Sequence, residues 1–401
     1  MPPAANPVGP GATPRRGSVA PPRRCDAVVV GGGVIGLTSA WYAARLGLDV
    51  VVVDPEPGRG ASWAAAGMLA PVTEVLSGEE ALLALTLASA RAWPAFASEL
   101  SAATGRPLGY ERSGTLLVAW DDGDRAWADE LYRFQRELEL DVEWLTSRRA
   151  RDMEPDLAPG IRGGVWAADD HQVHNRLLVT TLLDAVASEG VVVRRNRVET
   201  LERRGGSVAG AALDDGTVVE APAVVIAAGC QSPAIGGLPA GAVPAVRPVK
   251  GQILRLGPSP GSPHLARTVR GIVEGSSVYL VPRADGSVVV GATMEEKGYD
   301  TTVTAGAVYE LLRDAHRVVP GVTEMELCEA SAGLRPGSPD NGPIVGPVAH
   351  VPGLVVATGH HRNGILLAPV TAQAVAAHLV GAEPPPELAS FGPGRFAGVP
   401  G

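Results

Sequence analysis

Between Asp26 and Asp54 the chain passes through a β-branched run, a glycine-rich turn, a helical stretch and a second valine run, an order that few folds accept. Asp26-Ala-Val-Val-Val30 reads as a short buried strand. Val34 to about Leu46 has helical length and stops at Gly47, a suitable residue for a helix end, and Val50 to Val53 reads as a second buried strand. Strand, glycine turn, helix and parallel strand within about 30 residues open a doubly wound α/β sheet.

The turn itself, Gly31-Gly-Gly33-Val-Ile-Gly36, has the G-x-G-x-x-G spacing directly after the strand and at the start of the helix. Gly31 permits the tight turn, Gly33 lets backbone approach a pyrophosphate, and Gly36 lets helix and strand pack closely. The helix N-terminus offers N–H groups and a positive dipole end to the phosphates. Asp54, at the end of the second strand, is placed to accept from ribose hydroxyls. Alone, such a run is only a tight connection; strand, helix, second strand and acid in register make it a dinucleotide site. The spacing does not separate FAD from NAD, although an acid here would repel the 2′-phosphate of NADP.

A chain of 401 residues has room for about two domains. Helix is expected around Glu79 to Leu100 and Leu177 to Glu189. From Tyr110 to Trp120 and from Gly251 to Val290 the pattern alternates between Gly and Asp turns, as antiparallel strands do. Buried-strand style returns at Val224 to Ile226 and at Leu354-Val-Val-Ala-Thr-Gly359. The expected fold class is α/β, α+β overall: a Rossmann-like nucleotide domain over 23–105, 165–240 and 333–385, interrupted by an antiparallel-sheet substrate domain over 106–164 and 241–332. A disordered leader over 1–22 and a tail over 386–401 complete the chain.

The net charge of −9 gives no basic footprint for nucleic acid. No apolar run approaches the roughly 20 residues of a membrane-spanning helix. Cys25, Cys230 and Cys328 are odd in number and far apart, which argues against a disulfide framework or zinc site and for a reducing cytoplasm. Arg23-Arg24 before a valine run raises a twin-arginine export signal, but the run is short and leads straight into the glycine loop. His171 and His174 beside Asp169 and Asp170 have metal-like spacing without a further ligand, and are expected to be exposed caps before a helix. No metal is expected.

Further segments carry a family resemblance: Ala61-Ser-Trp-Ala-Ala-Ala-Gly-Met-Leu-Ala70, Pro248-Val-Lys-Gly-Gln252, Tyr279-Leu-Val-Pro-Arg283, Gly291-Ala-Thr-Met294, Ala332-Gly-Leu-Arg-Pro336 and Gly359-His-His-Arg-Asn-Gly-Ile-Leu-Leu-Ala-Pro369. Together, from Ala27 to about Leu379, they resemble the glycine oxidase group of the D-amino-acid-oxidase-like flavoproteins. The resemblance implies FAD contacts at Gly31, Gly33, Val34, Ile35, Gly36, Asp54, Ser62, Ala66, Gly67, Met68, Val198, Gly229, Arg335, His361, Arg362, Asn363, Gly364, Ile365 and Leu366. It implies that Arg335 pairs with the substrate carboxylate, for which a guanidinium offers a planar two-point fit. Tyr279 would supply a hydroxyl to the same group, Met294 and Met68 an apolar wall, and Arg362 a second arginine near the substrate; Arg362 would equally serve to hold its loop. A helix beginning near Gly364 to Leu366 would direct its N-terminus at the flavin. No cysteine lies between Ala332 and Asp340, so the FAD is expected to be non-covalent.

The implied reaction passes a Cα hydride of a small amino acid to the flavin, oxygen completes the cycle, and for glycine the products are glyoxylate, ammonia and peroxide. The family places the glycine imine in thiazole assembly for thiamine and suggests homo-oligomers. Alternatives left open by the residues are an oxidase or dehydrogenase for sarcosine, proline or a D-amino acid, and a flavin-binding sensor or non-catalytic subunit. Trp63, where related chains often have a small residue, would narrow the pocket or alter the flavin environment.

Overall fold

The computed structural model describes residues 23–396, so the expected leader and the end of the expected tail lie outside the described residues. The valine runs Ala27–Val30 and Val50–Val53 are buried at every position, which a strand tolerates only in a sheet covered on both faces. They belong to a six-stranded sheet in the spatial order Val192–Arg194, Val50–Val53, Ala27–Val30, Ala223–Ile226, Leu354–Thr358, Ile344–Pro347. Every pairing is parallel except the last.

One face of this sheet carries the helices Val34–Arg45, Glu80–Thr104, Asn175–Ser188 and Ala368–Val380, with Leu37, Trp41, Trp93 and Phe96 at the centre of the contact. Trp41 is fully buried there, and truncating it to alanine would cost about 3–5 kcal/mol. The other face is covered by a small sheet of Val198–Arg204, Ser207–Leu213 and Val218–Glu220. The sequence reading did not separate this layer, although Asp214-Asp-Gly216 is a hairpin signal. Arg23–Arg24 is its fourth strand, in register with Val219 and Glu220, and Arg24 Nε donates to Glu220 at 2.8 Å.

An eight-stranded sheet runs in the order Glu326–Gly337, Arg247–Gly257, Val288–Gly291, Ser276–Pro282, Thr268–Val273, Thr115–Ala119, Gly164–Ala167, Val142–Leu145. The domain limits expected at 164/165 and 332/333 each cut one of these strands. These strands run on to Ala167 and Gly337, hydrogen-bonded to their neighbours along their length, a pairing that composition does not reveal. One side of the sheet, including Leu254, Leu256, Val278 and Leu280, packs on the Ala305–Val318 helix. By the two-residue alternation of strands, Ile253, Tyr279 and Val281 face the opposite way.

A three-stranded ribbon of Met68–Leu69, His171–Val173 and Tyr110–Glu111 joins the two units. Here the expectation of exposed caps at Asp169, Asp170, His171 and His174 is corrected in part. His174 does cap, its Nδ1 accepting from Leu177 N–H at 3.2 Å. Asp170, however, is fully buried, accepting from the backbone N–H groups of Val72 and Thr73 and from the Thr73 hydroxyl at 2.9, 2.7 and 2.6 Å. Burial pushes its carboxyl up to about 6. The tail packs too, placing Leu388 and Phe391 against Leu82, Leu85 and Leu367.

Candidate active site

Parallel strands end on a common edge, and in open α/β sheets that carboxyl edge binds the ligand. Gly31, Asp54, Gly229 and His361 follow, respectively, the strands Ala27–Val30, Val50–Val53, Ala223–Ile226 and Leu354–Thr358. Gly31 has φ +109°, and a Cβ on it would lie 2.4 Å from the Ala227 carbonyl oxygen. On Gly36 a Cβ would lie 1.9 Å from the Gly31 oxygen. Both glycines are therefore demanded by backbone contact. The Val34–Arg45 helix has no side-chain cap and no acid in its first turn, leaving its dipole end open to an anion. Ser62 stands beside it, its hydroxyl accepting from Val34 N–H at 3.0 Å.

Asp54 Oδ2 accepts from Gly32 N–H at 2.6 Å and Oδ1 from Glu56 N–H at 2.7 Å. The carboxylate is thereby fixed, and its remaining lone pairs suit adjacent hydroxyls. Asp54 N–H donates to the Arg194 carbonyl at 3.0 Å, which brings the chain leading to Val198 alongside; Val198 itself is buried at the start of the covering sheet.

Beyond Thr358 the backbone turns through Gly359 and a 3-10 turn His361–Asn363. The helix expected from Gly364 to Leu366 begins at Ala368 instead. Gly364 already has helical angles and Leu367 N–H donates to Asn363 at 2.8 Å, so a preceding turn extends the helical direction. Ser89 and Trp93 both donate to the Leu366 carbonyl, at 2.6 and 2.8 Å, and hold this turn in place. His361 is buried with neither ring nitrogen finding a partner among the described residues, a cost of about 1–3 kcal/mol for each unsatisfied group. Burial first, then the charges of Arg362, Arg335 and Arg247, hold it down to about 4. Glycine cradle, open helix end, fixed acid and orphaned imidazole together fit a dinucleotide with polar ring edges.

On the facing sheet, Ser331, Ile253, Gly291, Tyr279 and Arg270 form one row across five strands. Paired residues share a face, so the Tyr279 ring stands between Arg270 and the bare Gly291. Further along the same face, Arg335 leans over Gly251, where a Cβ would fall 2.4 Å from its guanidinium. Arg335 Nη1 donates to the Thr293 carbonyl at 3.1 Å, and among the described residues it has no carboxylate partner. Burial pushes the Tyr279 hydroxyl up, while Arg335 draws it back down. Ala66, Met68, Ile253, Val281 and Val289 form a small apolar cluster beside them.

Two expected substrate contacts are placed differently. Met294 lies outside that cluster and is 68% exposed; it follows the end of its strand, where the strand alternation that would turn it inward no longer applies. Arg362 is tied to Glu79 at 2.6 Å and Glu74 at 3.7 Å, and donates to the Glu74 carbonyl at 3.2 Å. Its charge is already met, so it anchors its loop.

The sequence reading missed two arginines that build the wall. Arg255 donates to the carbonyls of Trp63, Ala64 and Ala65 at 3.1, 3.4 and 3.2 Å, and Arg283 to those of Ala66 and Val173 and to Gln172. Their signal was the two-residue spacing from Ile253 and Val281. The Trp63 ring is taken up between Arg59 and Arg176, 4.0 and 4.7 Å from its centroid.

The model of a family described as FAD dependent oxidoreductase matches residues 26–378. The chain belongs to that family. It is 35% identical to a glycine oxidase of Geobacillus kaustophilus over 94% of this chain and 99% of that protein. The crystal structure of glycine oxidase from that organism superposes with a TM-score of 0.84 at 34% identity, covering 92% of this chain and 98% of the other. A bifunctional protein ThiO/ThiG of Trichormus variabilis is 34% identical over 92% of this chain, which spans only 55% of that longer protein. The expected fold class holds, and FAD is the cofactor of the family to which the chain belongs. No described helix is long and apolar enough to cross a membrane.

Proposed function

We propose that the protein oxidises glycine and similarly small amines at the α-carbon with non-covalently held FAD; with glycine, the imine is hydrolysed by water to glyoxylate and ammonia, and oxygen is reduced to hydrogen peroxide. The observation that carries this reading is Arg335, a guanidinium without a carboxylate partner among the described residues, beside the Tyr279 hydroxyl and a small apolar wall. Arg335 binds the substrate carboxylate and Tyr279 donates to it, which orients the α-carbon; orientation supplies most of the rate when no proton transfer has to be timed. Ala66, Met68 and Ile253 form the apolar wall beside these two groups.

Gly31, Gly33, Val34, Ile35 and Gly36 hold the pyrophosphate of FAD, Asp54 its ribose and the His361–Leu366 turn its ring. When bound, the flavin accepts the hydride and passes the electrons to oxygen. Supply of the glycine imine to thiazole formation in thiamine biosynthesis is the role that fits the similarity to a ThiO/ThiG protein.

The test is anaerobic mixing of the yellow protein with glycine, sarcosine, D-alanine and D-proline, followed by air. Bleaching by glycine, recolouring and peroxide are expected. Bleaching without recolouring marks a dehydrogenase, and no bleaching by any of the four overturns the reading.

A further inference from the structure

At the end of the Tyr279 row that lies away from Arg335, four charged side chains form a chain of contacts. Arg270 Nη1 lies 3.6 Å from Glu74 Oε1, Glu74 Oε2 lies 3.7 Å from Arg362 Nε, and Arg362 Nη2 lies 2.6 Å from Glu79. All four are mostly buried, between 12% and 16% exposed in their side chains, so water screens them weakly. Arg270 also donates to the Thr73 carbonyl at 2.5 Å and the Thr73 hydroxyl at 3.3 Å, while its Nε has no partner among the described residues. The segment bearing Glu74 is not free to drift, because buried Asp170 holds the N–H groups of Val72 and Thr73.

Arg270 is the direct cross-strand neighbour of Tyr279, and Glu74 acts electrostatically on the same hydroxyl as Arg335. The anion-binding face therefore continues past Tyr279 to a second guanidinium, which is met by the Glu74 carboxylate and also interacts with buried Asp170. Arg270 and Arg362 meet Glu74 and Glu79, whereas Arg335 has no carboxylate partner among the described residues and is the cation left for a ligand.

Building on the reading that Arg335 takes the substrate carboxylate, we propose that Glu74 is a specificity-determining residue that restricts the site to amines carrying a single acidic group. A substrate with a second carboxylate would reach toward Arg270 and Arg362 and meet the Glu74 carboxylate first. Removal of that charge turns the same place into a subsite for a second anion, with the Arg270 guanidinium ready to receive it.

The experiment is a titration of the holoenzyme, followed by the flavin absorbance change, with glycolate, which has one carboxylate, and diglycolate, which has two. It reads binding without turnover. Wild type is expected to bind glycolate more tightly. Glu74→Gln should shift the ratio of the two dissociation constants toward diglycolate by about tenfold or more, the scale of one close charge pair, and Glu74→Asp should keep the wild-type ratio. Arg270→Gln tests the same point from the other side and should deepen discrimination against diglycolate. An unchanged ratio in both Glu74→Gln and Arg270→Gln overturns the proposal while leaving the Arg335 reading intact. If neither acid perturbs the wild-type flavin, both fall. Failure of glycine to bleach a flavin that still binds glycolate touches only the proposed substrate.

Discussion

Arg335 and Gly251 are packed face to backbone: a Cβ at position 251 would sit 2.4 Å from one guanidinium nitrogen and 2.6 Å from the other. The two residues lie on neighbouring strands, with Gly251 paired to Gly333 and Arg335 to Val249. The guanidinium thus lies flat on the sheet because the residue beneath it has no side chain.

Replacing Gly251 by alanine should lift Arg335 from this seat. The expected result is a rise in KM for glycine of about tenfold, equivalent to about 1.4 kcal/mol, with a smaller change in the colour or yield of the protein. Steady-state peroxide assays decide it; an unchanged KM would mean that Arg335 does not hold the carboxylate from this position.

Arg335→Gln and Arg362→Gln should differ in kind. Loss of Arg335 removes the charge that meets the ligand carboxylate and should weaken glycolate binding by about 2–5 kcal/mol. Loss of Arg362 leaves Glu79 and Glu74 short of a partner, so its main effect should be a lower melting temperature. Equal loss of glycolate affinity in both variants would contradict the loop-anchor role of Arg362.

Gly36→Ala should give a colourless protein. Its Cβ would need space 1.9 Å from the Gly31 oxygen and 3.0 Å from the Gly31 carbon, and neither backbone atom can yield without spoiling the phosphate turn. Flavin content per chain after purification is the measurement, and full occupancy in the variant would sink the assignment of this loop.

Acid should destabilise the protein through its buried histidines. His361 is held down to about 4 and His360 to about 3, in both cases chiefly by burial. The unfolded chain, with ordinary values near 6.5, therefore binds more protons between those limits. Stability contributed by the neutral rings is present above pH 6.5 and is lost as pH falls through that window toward 4 and below. Melting temperatures measured from pH 7 to 4 should fall less steeply in His361→Gln than in wild type; parallel curves would show that His361 is not buried neutral.

The sequence by itself determined the first βαβ unit, because Ala27–Val30, the Gly31–Gly36 spacing and Val50–Val53 are local signals whose steric demands hold in any context. It also marked Arg335, Tyr279 and Met68, through segments whose order along the chain resembles one family. Only the tertiary structure decided which arginine is free. Arg335 and Arg362 look alike in sequence, and what separates them is whether a carboxylate from 283 residues away stands within reach, as Glu79 does for Arg362. Asp170 was misjudged because burial depends on which elements pack together, and that is set by long-range pairing such as Val72 with Asp170, to which local periodicity is blind.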